Sequence, residues 1–445
     1  MRMLPLMLPL AFLAMPGSRM VLAQDSTLDA LLAEADASNP RLLSVRSMAR
    51  AAEARIPQAG ALPDPMVGLT FMNVPVASPT LGSDQMMTMT QLQVGSMVPW
   101  PGKLGLREEA ARFRAEATDW DVEGVRNEVR ADVRSAYYRV YFVDRALEVT
   151  QQNRALLEDL LELTRTLYGV GTGAQSEVLR AQVELAQLTD QEITLREQRV
   201  RAVAGLNALL GRPAETALAT TRFPDDVRAA ALAESSGGLR FSSTALSGLV
   251  PSGDSGPLPE VSELTALALE SSPVLRAQRA RTHAQSQALD LARTARLPDL
   301  NLSAAYSIRA DRADLFSLMV SAPVPIFSGR KQDQAVIEQE AIVAEQDARH
   351  DALAVELGAE VASLAAGLHR IRDQLALLRD GILPQARAGL SSSTASYRVG
   401  RVDFLSLLDA QATLYRHELD FHRLLTDFAT NLAALERAVG TEVLR

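Results

Sequence analysis

Hydrophobic positions along this chain follow two distinct periods. Four short segments alternate with period two. Val67, Leu69 and Phe71 alternate with Gly68 and Thr70, and Met86, Thr88, Thr90, Leu92, Val94 and Val98 alternate with Met87, Gln91, Gln93 and Gly95. Leu302, Ala304, Tyr306 and Ile308 alternate with Asn301, Ser303 and Ser307, and Phe316, Leu318, Val320, Ala322 and Val324 alternate with Ser317, Met319 and Ser321. Successive side chains of a strand point to opposite faces, so each segment is predicted to be a strand with one apolar face and one small or polar face. The predicted strand pairs occupy about 66–98 and 300–326.

The second period is helical. Leu357, Val361, Leu364, Leu368, Ile371, Leu375, Leu378 and Ile382 follow one another in alternating steps of four and three, a sustained heptad seam. A matching seam runs through Val122, Val125, Val129, Val133, Ala136, Val140, Val143 and Leu147, and resumes at Leu156, Leu160, Leu163 and Leu167. Uninterrupted helices over 103–168 and 328–397 would each be about 100 Å long. The returning helices, 174–210 and 402–439, would cover about half that length, as would those leading into the strands, 28–56 and 262–296. A short helix stacked end to end on a second short one, beside a long one, gives a uniform wall. All strands then emerge at one end and both turns lie at the other. Pro384 is expected to kink its helix or end a turn.

These elements come twice. Gly171 and Gly400, Ala181 and Ala410, and Gly211 and Gly440 stand at one constant offset. The echo extends to Asn39-Pro40 against Ser272-Pro273, Leu62-Pro63-Asp64 against Leu297-Pro298-Asp299, and Pro101-Gly102-Lys103 against Ser328-Gly329-Arg330. A unit of this length repeated once is one architecture built twice. The expected division is a signal peptide at 1–23, a first repeat at 24–211, a linker at 212–261 with the composition of a surface connection, and a second repeat at 262–445.

Composition narrows the function. Of 445 residues 47% are hydrophobic and only 4% aromatic, which suits long helix-on-helix packing. A net charge of -9 offers no basic field for phosphates, so nucleic acid is dropped as a partner. The apolar stretch from Leu4 to Met15, interrupted by Pro5 and Pro9, reads as a secretory signal, and no later segment is expected to span a membrane as a helix. Cysteine is absent, so neither a disulfide nor a lipidated thiol is expected. The five histidines show no metal-ligand spacing, and Met86, Met87, Met89 and Met97 read as apolar packing rather than a soft-metal site. Neither a nucleophile elbow nor a phosphate loop occurs, so no catalytic group and no cofactor are expected.

Four alternating strands of this length match transmembrane barrel staves but cannot close a barrel alone, so several chains must share it. At this point the chain resembles the TolC family of outer membrane efflux proteins. The resemblance rests on Tyr168-Gly169-Val170-Gly171-Thr172-Gly173, on Tyr397-Arg398-Val399-Gly400 with Asp403-Phe404-Leu405 and Leu408-Asp409-Ala410-Gln411, and on the strand-to-helix corner. Val98-Pro99-Trp100-Pro101-Gly102-Lys103 and Leu62-Pro63-Asp64-Pro65-Met66 are most similar to members serving heavy-metal efflux pumps.

The resemblance implies a homotrimer with a twelve-stranded barrel in outer membrane lipid, continuous with a helical periplasmic tunnel. It also implies a periplasmic adaptor and an inner-membrane pump of the RND type as partners. Gly169, Val170, Gly171, Thr172 and Gly173 with Arg398, Val399, Gly400, Arg401, Val402 and Asp403 would form the adaptor-docking tip. Gln91, Gln93, Asn301, Ser303, Ser307, Ser317 and Ser321 would face the barrel lumen. Two features depart from many relatives: the missing lipidated cysteine, and Gly389-Leu390-Ser391-Ser392-Ser393-Thr394 where an acidic aperture ring would stand. The rival readings are a soluble periplasmic coiled-coil adaptor and a type I protein secretion duct of the same fold.

Overall fold

The computed structural model describes residues 27–74, 88–233, 259–309 and 312–443. The predicted signal peptide, Met86, Met87 and the 234–258 part of the linker lie outside the described residues.

The chain begins with α1 (Leu28–Ser38), α2 (Pro40–Glu53) and α3 (Arg55–Gly60), then β1 (Met66–Met72) and β2 (Met89–Val98). The long α4 (Lys103–Gly169) and the returning α5 (Gln175–Leu209) follow, and α6 (Asp225–Leu232) lies in the connection. The same order resumes with α7 (Val261–Ser271), α8 (Pro273–Thr294), β3 (Leu300–Ile308) and β4 (Leu315–Ser321). A 3-10 turn (Ser328–Arg330), α9 (Gln332–Ala376), a π-helical stretch (Leu377–Ile382), α10 (Leu383–Arg398) and α11 (Phe404–Val439) complete it. With 67 residues, α4 is roughly 100 Å long, and the winding from Ser328 to Arg398 is of similar length. The molecule is a rod.

Each helix leading into a strand pair was expected to be continuous, and each is broken instead. α1 gives way to α2 at Asn39, whose side chain accepts from Arg41 N and Leu42 N while Pro40 occupies the first helical position. α7 gives way to α8 at Ser272-Pro273 in the same manner, without a side-chain cap. Proline supplies no N–H and crowds the preceding turn, so a helix restarts there rather than running through. The breaks create sockets. The Oγ of Ser38 donates to Leu210 O at 2.7 Å and Asn39 Nδ2 donates to Leu209 O at 2.7 Å, so the end of α5 is held against the α1–α2 junction. At the equivalent point Ser271 Oγ donates to Val439 O at 2.6 Å. A Cβ on Gly211 would lie 2.9 Å from Ser38 O, and one on Gly440 would lie 3.0 Å from Pro273 Cδ. These two close approaches are why short helices can stack end to end beside α4 and α9.

Among the described residues apolar burial forms three clusters along the rod. The largest joins α1, α4, α5, α6, α7, α9 and α11, and includes Val133, Tyr138, Phe223, Leu368 and Phe428. A small one holds Val143, Ala146 and Leu195, and the third lies at the turns. Both predicted seams are used, with one correction. Val361, Leu368, Ile371, Leu375 and Leu378 are buried, but the next buried position is Leu383 rather than Ile382. Pro384 cannot donate a backbone hydrogen bond, and the π-helical winding just before it takes up the extra residue and advances the seam by one. Helix 328–398 also contains an 18-residue window of mean hydropathy 1.3, apolar enough by length and composition to cross a membrane, contrary to expectation. That helix packs along α8 and α11 in the rod wall, where Glu360 pairs with Arg437.

Candidate functional sites at the two ends of the rod

At one end stands a single antiparallel sheet in the order β1-β2-β3-β4. Its register decides which side chains share a face, because directly opposed residues of an antiparallel pair point the same way. Gln91 lies opposite Ser307, Asn301 opposite both Met97 and Ser321, Gly95 opposite Ser303, and Ser317 opposite Ala305, which itself faces Gln93. All seven polar residues singled out from the sequence therefore occupy one face, together with Gly68 and Thr70. The other face carries Val67, Leu69, Phe71, Leu92, Val94, Leu302, Tyr306, Phe316, Leu318 and Val320, every one exposed. Both outer strands are exposed along their whole length. Met89 and Met97 belong to the polar face.

Where β2 turns into α4, Gly102 adopts φ 92°, and the chain is locked to the start of β3. Lys103 is buried, and its Nζ donates to Asp299 Oδ1 at 2.8 Å and to Leu297 O at 2.6 Å. Trp100 N donates to the same carboxylate oxygen at 2.9 Å. The Lys103 hydrogen bond first, and the Trp100 N–H second, hold the Asp299 carboxyl below the usual carboxylate range. Both motifs are visible in the sequence as members of the internal echo. Their pairing was not anticipated, because each was seen only against its own copy.

At the opposite end two turns lie side by side. In the first, Thr172 N donates to Leu167 O at 2.9 Å and Gly171 N to Tyr168 O at 3.0 Å. In the second, Arg401 N donates to Ser396 O and Gly400 N to Tyr397 O, both at 2.9 Å. This is the Schellman closure of a helix, and it requires a left-handed residue that glycine adopts without a Cβ penalty. Gly171 has φ 77° and Gly400 φ 69°. Gly169, Val170, Thr172, Arg398, Val399, Arg401 and Asp403 are exposed around these turns and Gly173 is half-buried. Val402 is half-buried and packs against the third apolar cluster, which holds Phe404 and Leu407.

Side chains tie the second turn to the first. The Tyr397 hydroxyl donates to Glu177 Oε2 at 2.8 Å, and the Tyr397 ring lies 5.5 Å from that of Phe404. Burial first, and Glu177 second, push the Tyr397 phenol upward. Asp403 caps α11 by accepting from Ser406 N at 2.9 Å. Deeper in the rod, Gln411 Nε2 donates to Asn153 Oδ1 at 2.7 Å. Glu192 receives Gln151, Arg154 and Arg196, which hold it as a carboxylate. Among the described residues no group of three or more His, Cys, Asp or Glu is placed to hold a metal ion. His422 is driven down to about 4 by burial and then by Arg145, so it is neutral and packs edge-on to Tyr141.

Comparison with known proteins agrees with this geometry. The profile of the family described as outer membrane efflux protein matches residues 31–212 and 264–441. The cobalt-zinc-cadmium resistance protein CzcC of Cupriavidus metallidurans is 24% identical over 416 residues, 93% of this chain and 90% of that one. Among solved structures, CusC superposes with a TM-score of 0.74 at 17% identity, covering 94% of this chain and 92% of its own. The outer membrane protein VceC of Vibrio cholerae superposes with a TM-score of 0.73 at 18% identity, covering 95% and 98%.

Proposed function

This chain belongs to the outer membrane efflux protein family, and from that premise we propose that three copies form one barrel and one tunnel. It is an outer membrane protein and the exit duct of a tripartite efflux system. The observation that carries the trimer is a sheet with one continuous apolar face, one polar face and two open edges, at the end of a rod roughly 100 Å long. An open edge in hydrocarbon leaves backbone N–H and C=O groups unpaired at several kcal/mol each, so the edges must be covered by further copies. Three copies of a four-stranded sheet make about twelve strands, enough for a wide lumen.

The rod supports the same reading. On α5, Leu179, Val183, Ile193 and Val200 form an exposed apolar stripe. At the repeat offset, Leu179 corresponds to Leu408 and Val200 to Ala429, both buried on α11, and Ile193 to half-buried His422, while Val183 corresponds to exposed Ala412. What α11 finds inside its own chain, α5 is expected to find on a neighbouring copy. We read the two halves as duplicated units joined by a linker at 212–261, in keeping with the two segments that the family profile matches.

In this reading Gln91, Gln93, Asn301, Ser303, Ser307, Ser317 and Ser321 line the lumen, and the opposite face meets lipid. The tip residues Gly169, Val170, Gly171, Thr172, Gly173, Arg398, Val399, Gly400, Arg401, Val402 and Asp403 receive a periplasmic adaptor. An inner-membrane pump of the RND type supplies the energy, and the duct conducts passively. The name of the 24% identical relative favours heavy-metal cations as cargo, with other small toxic compounds as the alternative. The test is purification in detergent, mass measurement and planar-bilayer recording. A trimer with stepwise conductance is expected, whereas a water-soluble monomer without conductance would refute the duct.

A further inference from the structure

The two strand-to-helix corners share a motif but differ in what covers them. Pro99 is buried, Trp100 half-buried and Lys103 6% exposed, because this corner docks on the Leu297-Pro298-Asp299 segment that leads into β3. Its counterpart after β4 leaves Val324, Ile326 and Phe327 at 77%, 75% and 72% exposure, with Arg330 exposed in the place of Lys103. Asp64, the counterpart of Asp299, is exposed ahead of β1 on the opposite edge of the sheet, beside Leu62 and Met66. One chain thus carries a complete corner lock at its centre and the two unpaired halves of a second lock at its two edges.

We infer that Arg330 of one copy binds Asp64 of the next, repeating between chains the Lys103–Asp299 lock found within one. The inference rests on the multi-copy reading above and names the contact that sets its register. Closed rotational assemblies join unlike surfaces head to tail, so the β4 edge of each copy meets the β1 edge of its neighbour. Val98-Pro99 aligns with Val324-Pro325, the second corner having one extra residue before Gly329-Arg330, and Pro298-Asp299 aligns with Pro63-Asp64. Carrying the β2–β3 register across on these alignments puts Leu318 opposite Phe71, Val320 opposite Leu69 and Ser321 opposite Gly68. Apolar then meets apolar and small polar meets glycine. A slip of one residue would put every side chain on the wrong face, so the agreement supports the Val98–Val324 alignment for the strands and places the extra residue of the second corner between Pro325 and Gly329. The exposed Val324, Ile326 and Phe327 would be covered in the same step. Bringing the pair under that cover is what makes the loss of one partner costly, since a lone charge remains in a drying interface.

The test uses the full chain in detergent. Asp64→Lys and Arg330→Glu are each expected to lower the trimer association constant at least about tenfold, and the double reversal to restore most of it. Because the natural chain has no cysteine, Leu69→Cys with Val320→Cys can form only the seam disulfide, giving a covalent ladder that ends at trimer on oxidation. Single reversals without effect, or a double reversal that fails to restore, overturn the ion pair even where the ladder forms. A trimer without the ladder overturns the register. A monomer without the ladder overturns the shared barrel itself.

Discussion

The two turns at the tip have the same backbone and different attachments. Both close on a Schellman pair around a left-handed glycine. Tyr397, however, is 5% exposed and bonded to Glu177, whereas Tyr168 is 48% exposed. Asp403 caps α11, while α5 starts at Ala174 without a side-chain cap. Gln411 reaches Asn153 in the interior, while Gln182 is exposed. The two turns share the residues that dictate backbone shape, which cannot vary without breaking the turn. The residues that decide what each turn holds on to differ. The second turn is bolted within its own chain, and the first offers its surface outward.

The sharpest way to break this contrast is to empty the bolt. Phe404 is 2% exposed and packs with Tyr397 and Leu407 in the tip cluster. Phe404→Ala is expected to cost about 3 kcal/mol or more through lost burial and the cavity left behind. At the repeat offset its counterpart is Gln175, exposed on α5, and Gln175→Ala is expected to change stability by less than about 0.5 kcal/mol. Peptide-resolved amide exchange over 390–410 and over 160–181 measures both. Equal loss of protection at the two turns would show that the packing asymmetry is not energetic.

A finer probe removes only a hydroxyl. Tyr397→Phe takes away the bond to Glu177 and leaves the ring packed against Phe404, for an expected loss of about 1 kcal/mol. Tyr168→Phe removes a hydroxyl from an exposed ring and is expected to be neutral. The measurement is the same exchange experiment, and the contrast fails if the two variants shift protection alike.

How far these differences could be read in advance follows from their physics. Strands, seams and tip glycines were legible because each depends on local geometry: period two, heptad spacing, or a positive φ that asks for glycine. The seven polar strand residues fell on one face for the same reason, since the pleat itself enforces the alternation. Asn39 and Ser272 belong to the echo, yet the helix breaks there are not legible in the sequence, because a proline at a first helical position looks the same on paper as one inside a helix. The move of the seam from Ile382 to Leu383 depends on a π-helical winding that no periodicity displays. Tyr397 with Glu177, and Lys103 with Asp299, are pairings across the fold. Only the neighbours supplied by tertiary structure reveal them, as they reveal the packing of half-buried Val402 against the tip cluster.

The smallest effect separates the turns by pH. Ser406, through its hydroxyl and then its backbone N–H, holds the Asp403 carboxyl below its ordinary value, and α5 has no such acceptor at Ala174. A carboxyl whose folded value is depressed contributes stability that is present above its unfolded value of about 3.9 and lost as pH falls through the folded one. Acidification from about pH 5 towards pH 3 is therefore expected to loosen the first turn of α11 while leaving the start of α5 unchanged at that position. Asp403→Asn keeps an oxygen acceptor for Ser406 N but does not titrate, so its exchange over 403–410, corrected for the intrinsic pH dependence, should stay flat across the same range. If the wild-type segment is equally flat, the Asp403 cap contributes nothing to the bolt, and the second turn is held by Tyr397 and Phe404 alone.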